Sequence, residues 1–220
     1  MRRSLSILPL LWLTAGCGGA GGPRPDAQIA AASPPAPAPS LPAGTWRAVA
    51  TVQDRARLRN WRTALVAALA QAGKSAGPRI AAEGVLLQPD RALPGPVPPA
   101  GAYRCRVIKL GSRASGMLDY VAYPAFRCRI SAAGPDGRLA FAKLDGSQRP
   151  VGTLYPQDEE RMIFLGTMVL GDERRPLAYG SDPERDMAGA VERIGPRRWR
   201  LLLPSPRWES LFDVMELVPG

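Results

Sequence analysis

Nineteen acidic side chains, three lysines and no histidine set the chemistry open to this 220-residue chain. Without histidine there is no Ser-His-Asp or Cys-His catalysis and no His-ligated zinc, iron or copper. None of Lys74, Lys109 and Lys143 follows a serine at the Ser-x-x-Lys spacing that would replace such a dyad. The glycines of 16–22 follow an apolar leader rather than a strand, so they are no dinucleotide loop. There is no calcium loop of alternating acids. An enzyme built from this inventory would run on paired carboxylates, as glycosidases do. The candidates are Asp158, Glu159 and Glu160, Asp172 with Glu173, Glu184 with Asp186, and Glu209 with Asp213 and Glu216. Most fall where turns are expected and read as solvated surface charge. Glu209 and Asp213, beside Trp208, are the pair to test first. On balance the chain reads as no enzyme, with no cofactor and no metal site.

The arginines offer binding chemistry instead. Tyr103-Arg104-Cys105-Arg106-Val107 and Phe126-Arg127-Cys128-Arg129-Ile130 share one pattern. Each reads as a strand with its Cys and apolar residues on one face and its arginines on the other. Apart from Cys17, Cys105 and Cys128 are the only cysteines. As an even pair in an oxidising compartment they are expected to form a disulfide rather than a redox centre, since the CxxC spacing is absent. If they join neighbouring strands, Arg104, Arg106, Arg127 and Arg129 line one face, a ladder suited to bidentate contact with phosphate or carboxylate groups. The bland alternative is an outer face whose arginines pair with local acids or lie in water. Arg197, Arg198 and Arg200 around Trp199 fit a surface strand whose Trp covers the core.

The elements that must position these residues follow from periodicity. Thr51 and Asp54 resemble a capping box. Leu58, Trp61, Leu65, Val66 and Leu69 then recur at helical spacing, with Gly73 as the expected stop. Pro78 opens a second, shorter helix reaching Leu87, followed by a connector rich in proline (Pro94, Pro96, Pro98, Pro99). From Gly101 the period becomes alternating. Strands are expected over 102–110, 121–131, 138–145, 149–155, 161–170, 187–194, 197–203 and 211–218. Met162, Phe164 and Met168 against Ile163, Leu165 and Val169 make the fifth apolar on both faces, as a strand covered on both sides would be. Tight turns between about eight short strands predict a mainly β domain with an N-terminal helix: a small antiparallel up-and-down β-barrel, lipocalin-like, with the helix across its end or wall. A β-sandwich is the alternative.

The first residues are an address. Arg2 and Arg3, the apolar run 5–13 and Thr14-Ala15-Gly16-Cys17 follow the order of a secretory signal peptide, and a Cys after small residues matches the lipobox of bacterial lipoproteins. The expected organisation is a signal peptide over 1–16, a lipidated Cys17 with a disordered Gly/Ala/Pro tether over 17–44, a helical segment and Pro-rich connector over 45–100, and a barrel over 101–220 that packs with 45–100 as one domain. The expected location is the periplasm of a Gram-negative bacterium, anchored by lipid to the outer membrane. Removing Arg2 and Arg3 from the formal +10 leaves +8. This charge attracts anions through long-range steering, although 26 of the 29 bases are arginine, as a GC-rich genome would also give. No nucleic-acid partner is expected, since the compartment lacks it and no binding motif is present.

The segments Tyr103-Arg104-Cys105-Arg106, Lys109-Leu110-Gly111, Gly146-Ser147-Gln148-Arg149-Pro150 and Arg193-Ile194-Gly195-Pro196-Arg197-Arg198-Trp199-Arg200, together with Trp208-Glu209-Ser210, resemble the family of domains of unknown function numbered 4893 (DUF4893) over about 46–219. The resemblance implies a secreted alphaproteobacterial protein. It carries no assigned activity and hands over no catalytic residues. The expected function is therefore non-enzymatic binding of an anionic or lipidic envelope component or envelope protein. The alternatives are a carboxylate-based hydrolase of cell-wall glycans and a structural partner in an envelope complex.

Overall fold

The computed structural model describes residues 45–134 and 136–220. The leader, Cys17 and the tether over 17–44 lie outside the described residues. Eight strands form one closed antiparallel barrel in simple meander order. They are β1 (Gly101–Ser112), β2 (Tyr120–Ala132), β3 (Leu139–Lys143), β4 (Gln148–Pro156), β5 (Arg161–Leu170), β6 (Asp186–Gly195), β7 (Arg198–Pro204) and β8 (Ser210–Pro219). Closure comes from β1, which pairs with β2 on one side and with β8 on the other, Tyr103 opposite Pro219 and Leu110 opposite Phe212. The alternating strands thus close on themselves rather than forming the two sheets of a sandwich.

Alternation fills the interior. Tyr103, Cys105, Cys128, Ile130, Phe141, Leu154, Met162, Phe164, Val191, Leu201, Met215 and Leu217 form one buried cluster. Gly152 and Gly166 face each other across β4 and β5. A side chain on Gly166 would collide with the Val151 carbonyl and with the Phe164 ring, so the absence of Cβ admits both the close strand approach and that ring.

The outside of the barrel is clothed unevenly by three helices, α1 (Trp46–Val49), α2 (Val52–Arg59) and α3 (Trp61–Ala82). Leu65, Ala68, Ala72 and Ala76 make a narrow small-residue face on α3 that lies against Ile108 and Leu110 of β1, Leu202 of β7, and Phe212 and Val214 of β8. Trp46, Ala50 and Leu58 cover Ile163, Leu165, Ala188 and Ala190. The fifth strand is therefore apolar on both faces because the core lies inside it and a helix outside.

The helical segment departs from its expected form. The chain breaks at Asn60, runs through Gly73 and ends at Ala82, so Leu58 and Leu65 serve different walls and Val66 is exposed. Gly73 does not stop the helix because its φ stays in the ordinary helical range, outside the left-handed glycines. Pro78 stands, as expected, in the first turn of a second helical stretch that begins after a kink. It donates no hydrogen bond, and Ala76 (φ −134, ψ 20) carries that kink. A 3₁₀ turn, Gly84–Leu86, replaces the rest of the second helix. Among the described residues no helix is long and apolar enough to cross a membrane.

Candidate functional site

Cys105 and Cys128 are joined, with Cα atoms 5.9 Å apart. They are diagonal neighbours, Cys105 lying opposite Phe126 and Cys128 opposite Tyr103, and both point inward. Their flanking arginines consequently point out. Arg104 stands directly opposite Arg127, and Arg129 opposite Ala102. All of these, with Ala125, are exposed, because the helices cover β5 to β8 and the Ile108–Leu110 end of β1 and leave the start of β1 and most of β2 bare.

Of the four arginines, Arg106 takes a different place. It is drawn toward α3 and β8, donating to both oxygens of Glu83 (2.8 and 2.5 Å) and to Glu216 (3.0 Å). Donating to Glu83 holds its guanidinium well above the ordinary value, and accepting from Arg106 holds the Glu83 carboxyl below its own. Arg127 pairs with Asp145 at 2.9 Å, which keeps the Asp145 carboxyl below its usual range. Among the described residues Arg104 and Arg129 have no carboxylate within ion-pairing distance. Three arginines thus share an open wall, and two of them are unneutralised.

A second site lies at the barrel end where β1 finishes and β8 begins. Lys109, on the inner face of β1 in phase with Cys105, is buried there. Its ammonium meets Glu209 Oε2 (3.0 Å), Gln148 Oε1 (3.2 Å) and Asp213 Oδ2 (3.4 Å). The other oxygen of Asp213 accepts from the Ser210 hydroxyl. Burial pushes the Asp213 carboxyl up, with Lys109 opposing. Burial likewise disfavours the Lys109 charge, but Asp213 and Glu209 together carry its pKa above the ordinary lysine value. Lys143 sits nearby, 3.6 Å from the Phe126 ring centroid, donating to the carbonyls of Asp145 (2.7 Å) and Gln148 (2.9 Å). Burial, reinforced by Arg149 and Lys109 against Asp145, lowers it to about 8.

Two backbone irregularities shape this end. Between Arg106 and Ile108 the register slips against Ala125 and Ala122, so that Tyr123 and Pro124 together oppose Val107. This is a bulge, a strand position that proline tolerates, and it turns Tyr123 to the mouth. In the β7–β8 connection, Ser205 (φ 48) and Glu209 (φ 66) both adopt the left-handed conformation, which is strained for residues with a Cβ. The result is a cavity of about 140 Å³ with Lys109, Gln148, Glu209 and Asp213 around it and Met168, Met187, Leu203 and Met215 beneath.

The other acidic candidates lie elsewhere. Asp158, Glu159, Glu160, Asp172, Glu173 and Glu184 are exposed, Glu216 serves Arg106 and Arg198 on the outer wall, and Asp186 is buried, accepting from the Gly180 amide. Glu209 and Asp213 do share a cavity, but a lysine stands between them. Sequence reasoning missed Lys109 and Gln148. The phase of Tyr103, Cys105 and Val107 already placed Lys109 on the inner face.

No curated protein and no solved structure matches the chain. A family model described as a domain of unknown function (DUF4893) matches residues 46–217, from the first helix to the last strand, and the chain belongs to that family.

Proposed function

We propose that the protein is a non-enzymatic periplasmic lipoprotein, tethered to the outer membrane through Cys17, that holds an anionic or lipidic component of the envelope against its bare arginine wall. One observation carries this reading. Arg104, Arg127 and Arg129 are exposed on the part of the barrel that no helix covers, and Arg104 and Arg127 lie directly opposite each other. Like charges so placed repel across a strand pair. Asp145 offsets only the Arg127 charge, so a phosphate or carboxylate is taken by Arg104 and Arg129 through the forked guanidinium geometry. The test uses the full mature chain with Cys17→Ser, so that no lipid anchor contributes, and phosphatidylglycerol vesicles. Binding should weaken with salt. Arg104→Glu with Arg129→Glu should lower affinity at least about tenfold, since each basic residue near an anionic surface is worth about 1 kcal/mol. Equal binding by the double variant would discard the wall as the contact.

A second reading has its own support. Glu209 and Asp213 reach one cavity, and burial raises the Asp213 carboxyl toward the range of a general acid. A glycan hydrolase of this kind would lose turnover on peptidoglycan fragments with Asp213→Asn while keeping its fold. Absence of turnover in the unaltered protein would remove this reading.

A further inference from the structure

The barrel-end cavity contains a carboxylate cradle in use. The two oxygens of Glu209 meet different donors, Oε2 the Lys109 ammonium at 3.0 Å and Oε1 the Gln148 amide at 3.5 Å. These donors belong to β1 and β4, which are not neighbours in the barrel, so the cradle spans its mouth. Its present occupant is a partly exposed side chain on a strained backbone. Glu209 lies in the connection between two strands, its side chain is 41% exposed, and its backbone sits at φ 66. By contrast Asp213, the other acid on Lys109, is buried within β8. Beneath the cradle the walls change from polar to apolar within one step along each strand: Lys109 gives way to Val107, Gln148 to Pro150 and Asp213 to Met215. The volume of about 140 Å³ is close to that of an apolar cavity of about 150 Å³ known to hold benzene, so it suits a tail or ring of about six carbons. Methionines in the floor adapt to differing tail shapes.

We propose that this cavity binds a small monocarboxylate with a short apolar tail, whose head replaces Glu209 on Lys109 and Gln148. Exchange of one carboxylate for another keeps the Lys109 charge paired. An alcohol leaves that charge with Asp213 alone, and an amine brings a further cation beside Lys109 and Lys143. The displaced Glu209 side chain turns to solvent, while Arg113 keeps the connection in place through the Pro206, Glu209 and Ser210 carbonyls. The site is separate from the arginine wall and does not rest on it.

The experiment is titration of the Cys17→Ser chain with hexanoate, followed by calorimetry and methionine-methyl NMR. Glu209→Gly empties the cradle and suits the left-handed backbone. It should raise affinity about tenfold by removing the internal competitor. Lys109→Gln should abolish binding. If that variant fails to fold, Gln148→Met, which removes only the second donor, should weaken binding about fivefold or more. Hexanol and hexylamine should bind at least about tenfold more weakly than hexanoate, and the Arg104→Glu, Arg129→Glu chain should bind hexanoate like the unaltered protein. Hexanoate bound no better by Glu209→Gly, or hexanol bound as well as hexanoate, would overturn the proposal.

Discussion

At the scale of single residues, the most consequential side chain outside the candidate sites is Arg200. It is fully buried on the outer face of β7 and donates to Glu192 at 2.9 and 2.7 Å, and to the carbonyls of Leu86 (2.9 Å) and Gln88 (2.7 Å). One guanidinium thus fastens the segment after α3 to the barrel wall. Glu192 also accepts from Arg161 at 2.6 Å. Arg200→Met leaves these acceptors buried and short of donors, and should destabilise by about 3–5 kcal/mol in denaturant unfolding, the range for breaking a buried pair from one side. Lys143 offers a pH signature. Its pKa is about 8 in the folded protein against an ordinary 10.5. Between those values the unfolded chain holds a proton that the folded one lacks, so this residue makes stability rise as pH climbs from about 8 toward 10.5. The raised tyrosines 103, 120 and 179 act oppositely above pH 10. Stability measured from pH 8 to 10 should therefore rise more steeply in the unaltered protein than in Lys143→Met. Neither residue's role was legible in the sequence. Arg200 read as one of three bases around a Trp, because nothing local announces that residues 85–88 will fold over it.

At the scale of elements, alternation was the strongest signal. All eight expected strands match observed ones to within about two residues at each end, because every strand has one face in the core and register is fixed by that face. The Cys-centred segments were legible for the same reason, and the disulfide with them. It joins strands already paired around it, Gly101–Arg106 against Ala125–Ile130, across a sequence separation of 23. Cys105→Ser with Cys128→Ser should accordingly cost about 3 kcal/mol through loop entropy in the unfolded state, with far-UV circular dichroism of the folded protein unchanged. The helices were less legible. Propensity and capping gave the start at Thr51, whose hydroxyl accepts from the Asp54 amide at 3.1 Å. The ends are decided by tertiary contacts: Asn60 divides two helices that serve different walls, and Gly73 is carried through because the alanine face on either side of it is buried. The arginine ladder was half legible. Alternation put all four on the outer face, whereas the diversion of Arg106 depends on Glu83 and Glu216, far from it in sequence.

At the scale of the whole molecule, the closing ladder between β1 and β8 joins the first and last strands of the barrel. Removing 210–220 would expose the edges of β1 and β7 together with the apolar face of α3, which packs on Phe212 and Val214. Such a truncation should not give a seven-stranded sheet but an aggregating chain, seen as loss of the monomer peak in size-exclusion chromatography. The two ends of the barrel also differ. At one, Tyr103 and Trp199 meet edge to face with ring centroids 6.4 Å apart, and the Tyr103 hydroxyl donates to the Pro99 carbonyl at 2.7 Å, so the proline-rich connector crosses it. Leu93 and Gly95 bond to Arg193 and Glu159 on the same rim. At the other lie the lysines and the strained connection. The fold is therefore a cup and not a pipe. Its open end carries Glu209 at the rim, so a guest of the kind proposed above would meet that side chain before it met the methionine floor.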